Sequence, residues 1–266
     1  MLGAVVGDII GSVYENDNVK SKDFPFITDN THFTDDTVMT LAIAKWLMTD
    51  SERSTDGLVK IMQEFGRKYP DAGYGRAFRA WIFSEMPEPY NSWANGSAMR
   101  VSPIGLCAST IEEALHLAKI SAEVTHNHPE GIKGAQAVAA CVFLYRNGYT
   151  KNEIKDFVER EFGYNLSRTL DNIRPVYKFD VSCQGSVPES IIAFLESDTL
   201  EECVRNAISI GGDSDTIASI ACAIYMSRKD IDSNDKWCEE YSSYLTADLL
   251  NVMREFESMI DEKTSL

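Results

Sequence analysis

Basic residues are scarce in this chain of 266 residues, which has 25 Lys and Arg against 41 Asp and Glu and a formal net charge of −16. Because nucleic-acid phosphates are held mainly by Lys and Arg, this balance excludes a general nucleic-acid binder. An anionic substrate would need a local source of positive charge. A bound divalent cation is one such source, since it is often the largest charge in its site.

Long apolar runs are also missing. The longest uncharged apolar stretch away from the N-terminus, residues 217–226, is well short of the roughly 18 residues that span a bilayer. Residues 1–13 are apolar, but they have no basic region and Asp8 interrupts them, so we interpret them as a buried part of the fold and not as a signal sequence. The sequence therefore predicts no membrane helix.

Closely spaced cysteine pairs are absent as well: the six cysteines are scattered, and none forms a CxxC motif. Disulfide frameworks are typical of short, loop-rich secreted chains. Several of these cysteines lie among Ala, Val and Ile, which favours buried, reduced thiols and a cytoplasmic location. With 44% hydrophobic residues the chain can form a substantial core, so overall disorder is excluded.

Alternating period-2 patterns are rare, whereas apolar residues recur with a period of 3.6, and this predicts an all-α fold. Thr110, Thr150 and Thr199 each have a Glu three residues later, the pattern of a helix N-terminus in which the two side chains satisfy free backbone donors. Further helices are predicted over residues 36–48, 56–68, 74–84, 98–108, 129–147, 188–197, 214–228 and 235–260, with Pro129 and Pro188 in first turns. Long loops are predicted over residues 16–33 and 86–97. We find no repeat and no linker, and we expect one compact domain over residues 1–266.

The first cluster of candidate functional residues comprises Thr34, Asp35, Asp36 and Thr37, directly before an apolar helical pattern. Asp and Thr are common helix caps, and the helix dipole favours negative charge at this end. For this cluster alone, capping is therefore a sufficient explanation.

The second cluster comprises Gly211, Gly212, Asp213, Asp215 and Thr216, again directly before an apolar helix. The glycines permit a tight turn, and capping needs only one aspartate. Together the two clusters offer four carboxylates and several threonine hydroxyls, which suit Mg²⁺, Mn²⁺ or Ca²⁺ and disfavour Zn²⁺ or Cu²⁺. If the clusters meet in space, they match a two-metal site with ions ~3.5–4 Å apart.

Weaker signals come from three other segments. Gly7 and Gly11 permit close backbone packing, and Asp8 and Glu15 flank an apolar turn; here Asp8 is expected to bond a neighbouring helix end and Glu15 to be solvated. Residues 91–100 form a polar loop before a helix, an arrangement that binds phosphate through backbone N–H groups, here with possible help from Arg100. The pair His126 and His128 precedes another helix, where capping or packing is the commoner role.

In this order, the motifs resemble the ADP-ribosylglycohydrolase family, of the dinitrogenase-reductase-activating glycohydrolase type. The motifs are Gly-Asp-x-x-Gly-x-x-x-Glu at 7–15, Thr-Asp-Asp-Thr at 34–37, Asn-Gly-x-Ala-Met-Arg at 95–100, Thr-His at 125–126 and Gly-Gly-Asp-x-Asp-Thr-Ile-Ala at 211–218. The resemblance implies a compact orthogonal bundle of helices. It also implies hydrolysis of the glycosidic bond at C1 of the distal ribose of ADP-ribose, which frees ADP-ribose from a modified protein side chain or a small acceptor.

By the same resemblance, two Mg²⁺ or Mn²⁺ ions are expected at Thr34, Asp35, Asp36, Asp213, Asp215 and Thr216. The expected substrate-binding residues are Ser92, Trp93, Asn95, Gly96, Ser97 and His126. Glu15 and Asp36 are the candidate catalytic residues, either of which could accept a proton from water or protonate the leaving group. The sequence does not divide these two roles between them.

Two other functions remain open at this stage. An all-α, Mg²⁺-dependent nucleotide phosphohydrolase would explain the carboxylates but not the Asn-Gly-Ser-Ala-Met-Arg loop. A non-catalytic ADP-ribose-binding relative would be expected to have lost metal ligands, whereas every expected ligand type is present. The sequence does not indicate which ADP-ribosyl linkage is cleaved.

Overall fold

The structure is a computed structural model that describes residues 1–228 and 234–264. These ranges contain fifteen helices and, outside them, a single isolated bridge between Ala94 and Ser182, so the all-α prediction is confirmed. In chain order the helices are α1 Leu2–Gly11, α2 Asp35–Thr49, α3 Thr55–Lys68, α4 Arg76–Ile82, α5 Gly96–Met99, α6 Ser102–Cys107, α7 Ile111–Glu123, α8 Pro129–Arg146, α9 Lys151–Phe162, α10 Leu170–Ile173, α11 Cys183–Leu195, α12 Leu200–Ser209, α13 Ser214–Tyr225, α14 Asn234–Ser242 and α15 Ala247–Thr264.

The three Thr-x-x-Glu patterns do begin helices. Thr110, Thr150 and Thr199 each accept a hydrogen bond from the backbone N–H of the Glu three residues later. The return bond from the Glu reaches the backbone N–H of the capping residue only at Thr150. At the other two helices the Glu side chain accepts instead from the backbone N–H of the residue before the threonine. These bonds are 2.7 Å from Ser109 N and 2.8 Å from Asp198 N. The pattern therefore locates the helix start, although the backbone N–H group that the Glu satisfies differs from helix to helix.

Three predicted helices have different bounds in the structure. Helix α11 begins at Cys183, where Ser182 accepts from Gly185 N at 3.0 Å, so the prediction that Pro188 lies in a first turn is wrong. Pro188 lies inside the helix, where it has no N–H to donate to the carbonyl four residues earlier. The predicted helix 98–108 is divided into α5 and α6, and the predicted helix 235–260 into α14 and α15. Pro129 is confirmed as the first residue of α8.

Helices α1 and α13 lie side by side in the core, and every residue of both is buried. Gly3, Gly7 and Gly11 make this close approach possible. A β-carbon at Gly7 would lie 2.2 Å from the carbonyl oxygen of Ala218, and one at Gly11 would lie 2.5 Å from Cα of Asp215. The glycines of the first motif thus bring the start of α13 against the end of α1, and α2 packs on the same pair.

The structure bears on two further expectations, buried cysteines and helices too short or too polar to span a membrane. Among the described helices, none is long and apolar enough to cross a bilayer. Five cysteines are buried, while the side chain of Cys238 lies outside those that the structure describes. The loop predicted over residues 16–33 contains no helix, and the loop predicted over 86–97 ends where α5 begins at Gly96.

Candidate active site

The two acidic clusters, nearly two hundred residues apart in sequence, meet in the structure. The hydroxyl of Thr216 at the start of α13 donates a hydrogen bond of 3.1 Å to Oδ2 of Asp36 at the start of α2. Both residues are buried, with exposed fractions of 3% and 2%. The starts of α2 and α13 therefore form one site.

The start of α2 is held by a carboxylate from α1. Asp8 Oδ2 accepts hydrogen bonds from the backbone N–H groups of Thr34 at 2.9 Å and Thr37 at 3.1 Å, and its Oδ1 accepts from the Thr34 hydroxyl at 2.6 Å. The Thr34 hydroxyl in turn accepts from Asp36 N at 3.3 Å. Because Asp8 and Thr34 satisfy these donors, the Asp36 side chain is not needed as a cap, and Asp8 has the helix-end role expected of it.

The start of α13 is held by a glycine turn and two asparagines. Gly211 and Gly212 have φ values of +71° and +77°, a region that disfavours other residues. Gly212 N donates to Asn18 Oδ1 at 2.5 Å, and Asn18 Nδ2 donates to Gly212 O at 3.1 Å. Asp213 makes no side-chain cap; its Oδ2 instead accepts from Asn95 Nδ2 at 2.7 Å. The aspartate is thus oriented toward the site and not toward its own helix.

Glu15 completes the acidic group. One carboxylate oxygen each from Glu15, Asp213 and Asp215 lie within 4.8 Å of one another. Asn18, which holds Gly212, also donates from Nδ2 to the backbone carbonyl of Glu15 at 2.8 Å. The same asparagine therefore fixes the α1–α2 loop and the turn before α13 relative to each other.

The carboxylates of this site destabilise one another's charged forms. Burial, followed by the neighbouring carboxylates of Asp8 and Asp213, raises the pKa of Asp35 to about 8. Burial and adjacent carboxylates also raise the pKa of Asp36 and Asp215 well above the usual value. Burial is again the first cause, and Asp213 the second, of the raised pKa of Glu15. Such shifts are typical of clustered acids without a compensating cation.

No cation of the described protein neutralises this group. None of the salt bridges within residues 1–228 and 234–264 involves Glu15 or the aspartates of the two clusters. Oδ1 of Asp36 is buried and has no hydrogen-bond partner among these residues. An unpartnered buried carboxylate oxygen among other oxygen donors fits a hard divalent cation such as Mg²⁺ or Mn²⁺.

A cleft of about 510 Å³ opens over the carboxylates. Its polar side is formed by all the predicted metal ligands, Thr34, Asp35, Asp36, Asp213, Asp215 and Thr216, together with Glu15. The lining also includes apolar and aromatic residues, among them Phe78, Tyr90, Phe179 and Val181. A few polar groups among apolar lining residues are typical of small-molecule sites.

The predicted substrate-binding residues are divided between the cleft and its surroundings. Ser92, Asn95, Gly96 and His126 line the cleft. Trp93 is 46% exposed and is not among the lining residues. Ser97 is fully buried and does not line the cleft either, because its hydroxyl donates to the carbonyl of Gly131 at 2.7 Å.

Two other residues singled out in the sequence have defined roles. His128 caps α8 by accepting from Glu130 N at 3.1 Å, which confirms the capping interpretation for one histidine of the pair. Arg100, considered as a phosphate ligand, is only 1% exposed and donates from Nη2 to Ser121 O and Thr125 Oγ1. Arg100 lines the cleft, but these two hydrogen bonds engage its Nη2 inside the protein.

The apolar part of the cleft lining was not predicted from the sequence. Phe179 and Val181 are 53% and 39% exposed, and Val181 belongs to the short pairing of residues 93–95 with 181–183. Their alternation just before the cap of α11 was the only local signal. Tyr90 lies in a predicted loop with no periodicity, and only its contact with the 125–126 turn brings it to the cleft.

The helices and the site define an all-α protein with a carboxylate-lined cleft. The sequence pattern of the ADP-ribosylglycohydrolase family matches residues 1–229, and the chain belongs to that family. It is 26% identical to human ADP-ribosylhydrolase ARH3 over 331 residues, covering 94% of this chain and 90% of the human protein. It is 28% identical to the chicken protein of the same name over 305 residues, covering 84% and 82%.

The fold agrees with this membership. A solved structure described as an ADP-ribosylglycohydrolase-related protein complex superposes with a TM-score of 0.70, covering 95% of each chain at 21% sequence identity. The expected ADP-ribosylglycohydrolase fold is therefore confirmed.

Proposed function

We propose that this chain is a divalent-metal-dependent hydrolase that cleaves the glycosidic bond at C1 of the distal ribose of an ADP-ribosyl group. The observation that carries the proposal is the hydrogen bond between Thr216 and Asp36, which joins two carboxylate clusters without a protein cation between them. Family membership and the activity named for the ARH3 relatives support this reaction class over the phosphohydrolase alternative.

Two Mg²⁺ or Mn²⁺ ions would be held by Thr34, Asp35, Asp36, Asp213, Asp215 and Thr216. A divalent cation in such a site supplies Lewis acidity, which orients the sugar and makes water a better nucleophile. Thr34 suits this role because its proton is donated to Asp8, which leaves an oxygen lone pair for the cleft. Asn95 supports the set by fixing one oxygen of Asp213.

Glu15 is the better candidate for proton exchange with water or the leaving group. It is partly exposed at the cleft, whereas Asp36 is only 2% exposed and bonded to Thr216. A carboxyl group that transfers a proton must come within hydrogen-bond reach of the water or the leaving group in the cleft. We therefore assign proton exchange to Glu15 and ion holding to Asp36.

The other residues that line the cleft would accommodate the rest of the substrate. Ser92, Asn95 and Gly96 contribute polar and backbone groups to this lining, and the partly exposed Phe179 and Val181 contribute apolar surface. The proposed substrate is an ADP-ribosylated protein side chain or a small ADP-ribosyl compound. Selectivity between acceptors would depend on these lining residues and on the loop over residues 16–33.

The proposal is tested by incubating the purified chain with ADP-ribosylated arginine and serine peptides in the presence of Mg²⁺ or Mn²⁺. Release of intact ADP-ribose, measured by mass spectrometry, is expected from at least one peptide, and chelation of the metal should abolish it. Release of phosphate or AMP from a nucleotide panel would favour the phosphohydrolase instead. Binding of ADP-ribose without turnover of any linkage would favour a non-catalytic relative.

A further inference from the structure

A chain of hydrogen bonds leads from a buried arginine to the histidine of the cleft. Arg100 Nη2 donates to Ser121 O at 2.6 Å and to Thr125 Oγ1 at 2.9 Å. Thr125 Oγ1 lies 2.7 Å from Nδ1 of His126. Arg100, Thr125 and His126 are 1%, 0% and 4% exposed, so water does not replace these partners.

The position of the hydroxyl proton of Thr125 follows from its neighbours. A guanidinium only donates, so the bond from Arg100 uses a lone pair of the threonine oxygen. The single hydroxyl proton then needs an acceptor, and Nδ1 of His126 is the acceptor that the described residues provide. If Nδ1 carried the proton, the buried hydroxyl of Thr125 would have no acceptor, and buried polar groups are rarely left so.

His126 has one proton to place on its two ring nitrogens. Burial, together with the nearby guanidinium of Arg100, holds the pKa of His126 well below its usual range, so the ring is neutral. A neutral imidazole that accepts at Nδ1 carries its proton at Nε2. This nitrogen has no hydrogen-bond partner among the described residues. It faces Gly96, where a β-carbon would lie only 3.1 Å away.

We propose that Arg100 and Thr125 are positioning residues that hold His126 in its Nε2–H tautomer, so that it donates a hydrogen bond to an oxygen of the ADP-ribosyl group. The inference rests on the proposed function for the identity of the ligand. The opposite tautomer would direct a lone pair at an oxygen that carries no proton, such as a phosphate oxygen, and repel it. Gly96 and His126 both line the cleft. Because Gly96 has no side chain, a substrate oxygen in the cleft can approach Nε2 of His126.

The tautomer is measured directly by ¹⁵N NMR of the histidine rings in the free, full-length protein. A His126→Gln variant assigns the signals. We expect protonation at Nε2 alone in the unsubstituted protein and in Thr125→Ser, and a mixture of tautomers in the nearly isosteric Thr125→Val. A proton on Nδ1, or a cationic ring at neutral pH, in the unsubstituted protein would overturn the inference even if Thr125→Val does not fold.

The consequence for the ligand is measured by calorimetric titration with ADP-ribose. Thr125→Val should weaken binding about tenfold, the size of one net hydrogen bond, and Thr125→Ser should restore it. Unchanged affinity in Thr125→Val with an altered tautomer would overturn the role in binding. If ADP-ribose does not bind to the unsubstituted protein, the proposed function fails, whereas the NMR result still decides the tautomer.

Discussion

The starts of α2 and α13 both carry two aspartates, but they are held in different ways. At α2 the backbone donors are satisfied by Asp8 and Thr34, two buried groups that bind each other at 2.6 Å. At α13 the residue before the helix, Asp213, makes no side-chain cap, and the turn depends on Asn18 and Asn95. Asp36 is therefore surplus to capping, whereas Asp215 Oδ1 accepts from the backbone N–H of Thr216 at 2.9 Å.

This difference predicts that some residues of the site contribute to stability and others mainly to activity. Asp8 and Thr34 stabilise a helix end, so their loss should lower the free energy of unfolding as well as activity. Burial, and after it the adjacent carboxylates, raises the pKa of both Asp36 and Asp215. Replacing either by asparagine, which keeps an acceptor oxygen such as the one Asp215 offers to Thr216 N, should cost activity with little or no loss of stability.

The largest effect is expected from Asp36→Asn and Asp215→Asn. Each removes one negative charge from the proposed ion site while preserving shape, so turnover of an ADP-ribosylated peptide should fall by at least about 10²–10³-fold. The melting temperature of the metal-free protein should stay the same or rise, because a neutral amide replaces a carboxyl group whose charged form is disfavoured by burial and by its neighbours. Asp156→Asn, exposed on α9 and not among the residues that line the cleft, is the matched control and should retain normal turnover. Normal turnover in either Asp36→Asn or Asp215→Asn would contradict the claim that these two aspartates serve activity and not stability.

Gly7→Ala tests the packing that brings the two helix starts together. The added β-carbon would lie 2.2 Å from the carbonyl oxygen of Ala218, a backbone atom that cannot move independently of α13. We expect a loss of at least about 3 kcal/mol in the free energy of unfolding, measured by urea denaturation, which is at or above the upper end of ordinary overpacking.

Gly75→Ala is its control, because Gly75 has a φ of −58° and a β-carbon there would have no atom within 4 Å. Its unfolding midpoint should differ little from that of the unsubstituted protein. Equal midpoints for the two alanine variants would show that α1 and α13 do not need their close approach.

The smallest effects come from two caps, Thr34→Ala and Thr199→Ala. Each loses a cap worth about 0.5–2 kcal/mol. Thr34→Ala also removes the hydroxyl bonded to Asp8, so it should be the less stable of the two and should lose activity. Thr199 is not among the residues that line the cleft, so Thr199→Ala should retain full turnover. An equal loss of turnover in both variants would mean that the start of α2 is only a structural cap.

Much of this fold could be predicted because helix starts are local. The bonds of Thr110, Thr150 and Thr199 join groups three residues apart, so sequence spacing alone predicts them. Pro188 was misplaced because its preference for a first turn competes with an earlier cap at Ser182, and the cap determines where α11 begins.

The acidic site was predictable in composition but not in arrangement. Residue types indicated oxygen ligands, yet the bond between Asp36 and Thr216 depends on the packing of α1 against both α2 and α13, which no local pattern specifies. The same is true of Phe179 and Val181, whose place in the cleft depends on pairing with a distant loop. The metal ions and the single domain over residues 1–266 stay predictions.

Titration of Mn²⁺ into the purified chain, followed by electron paramagnetic resonance, tests most directly whether α2 and α13 form one ion site. The account predicts two Mn²⁺ ions close enough for their spins to couple, and a loss of that coupling in both Asp36→Asn and Asp215→Asn. Unchanged Mn²⁺ binding and coupling in both variants, or no Mn²⁺ binding by the unsubstituted chain, would contradict it.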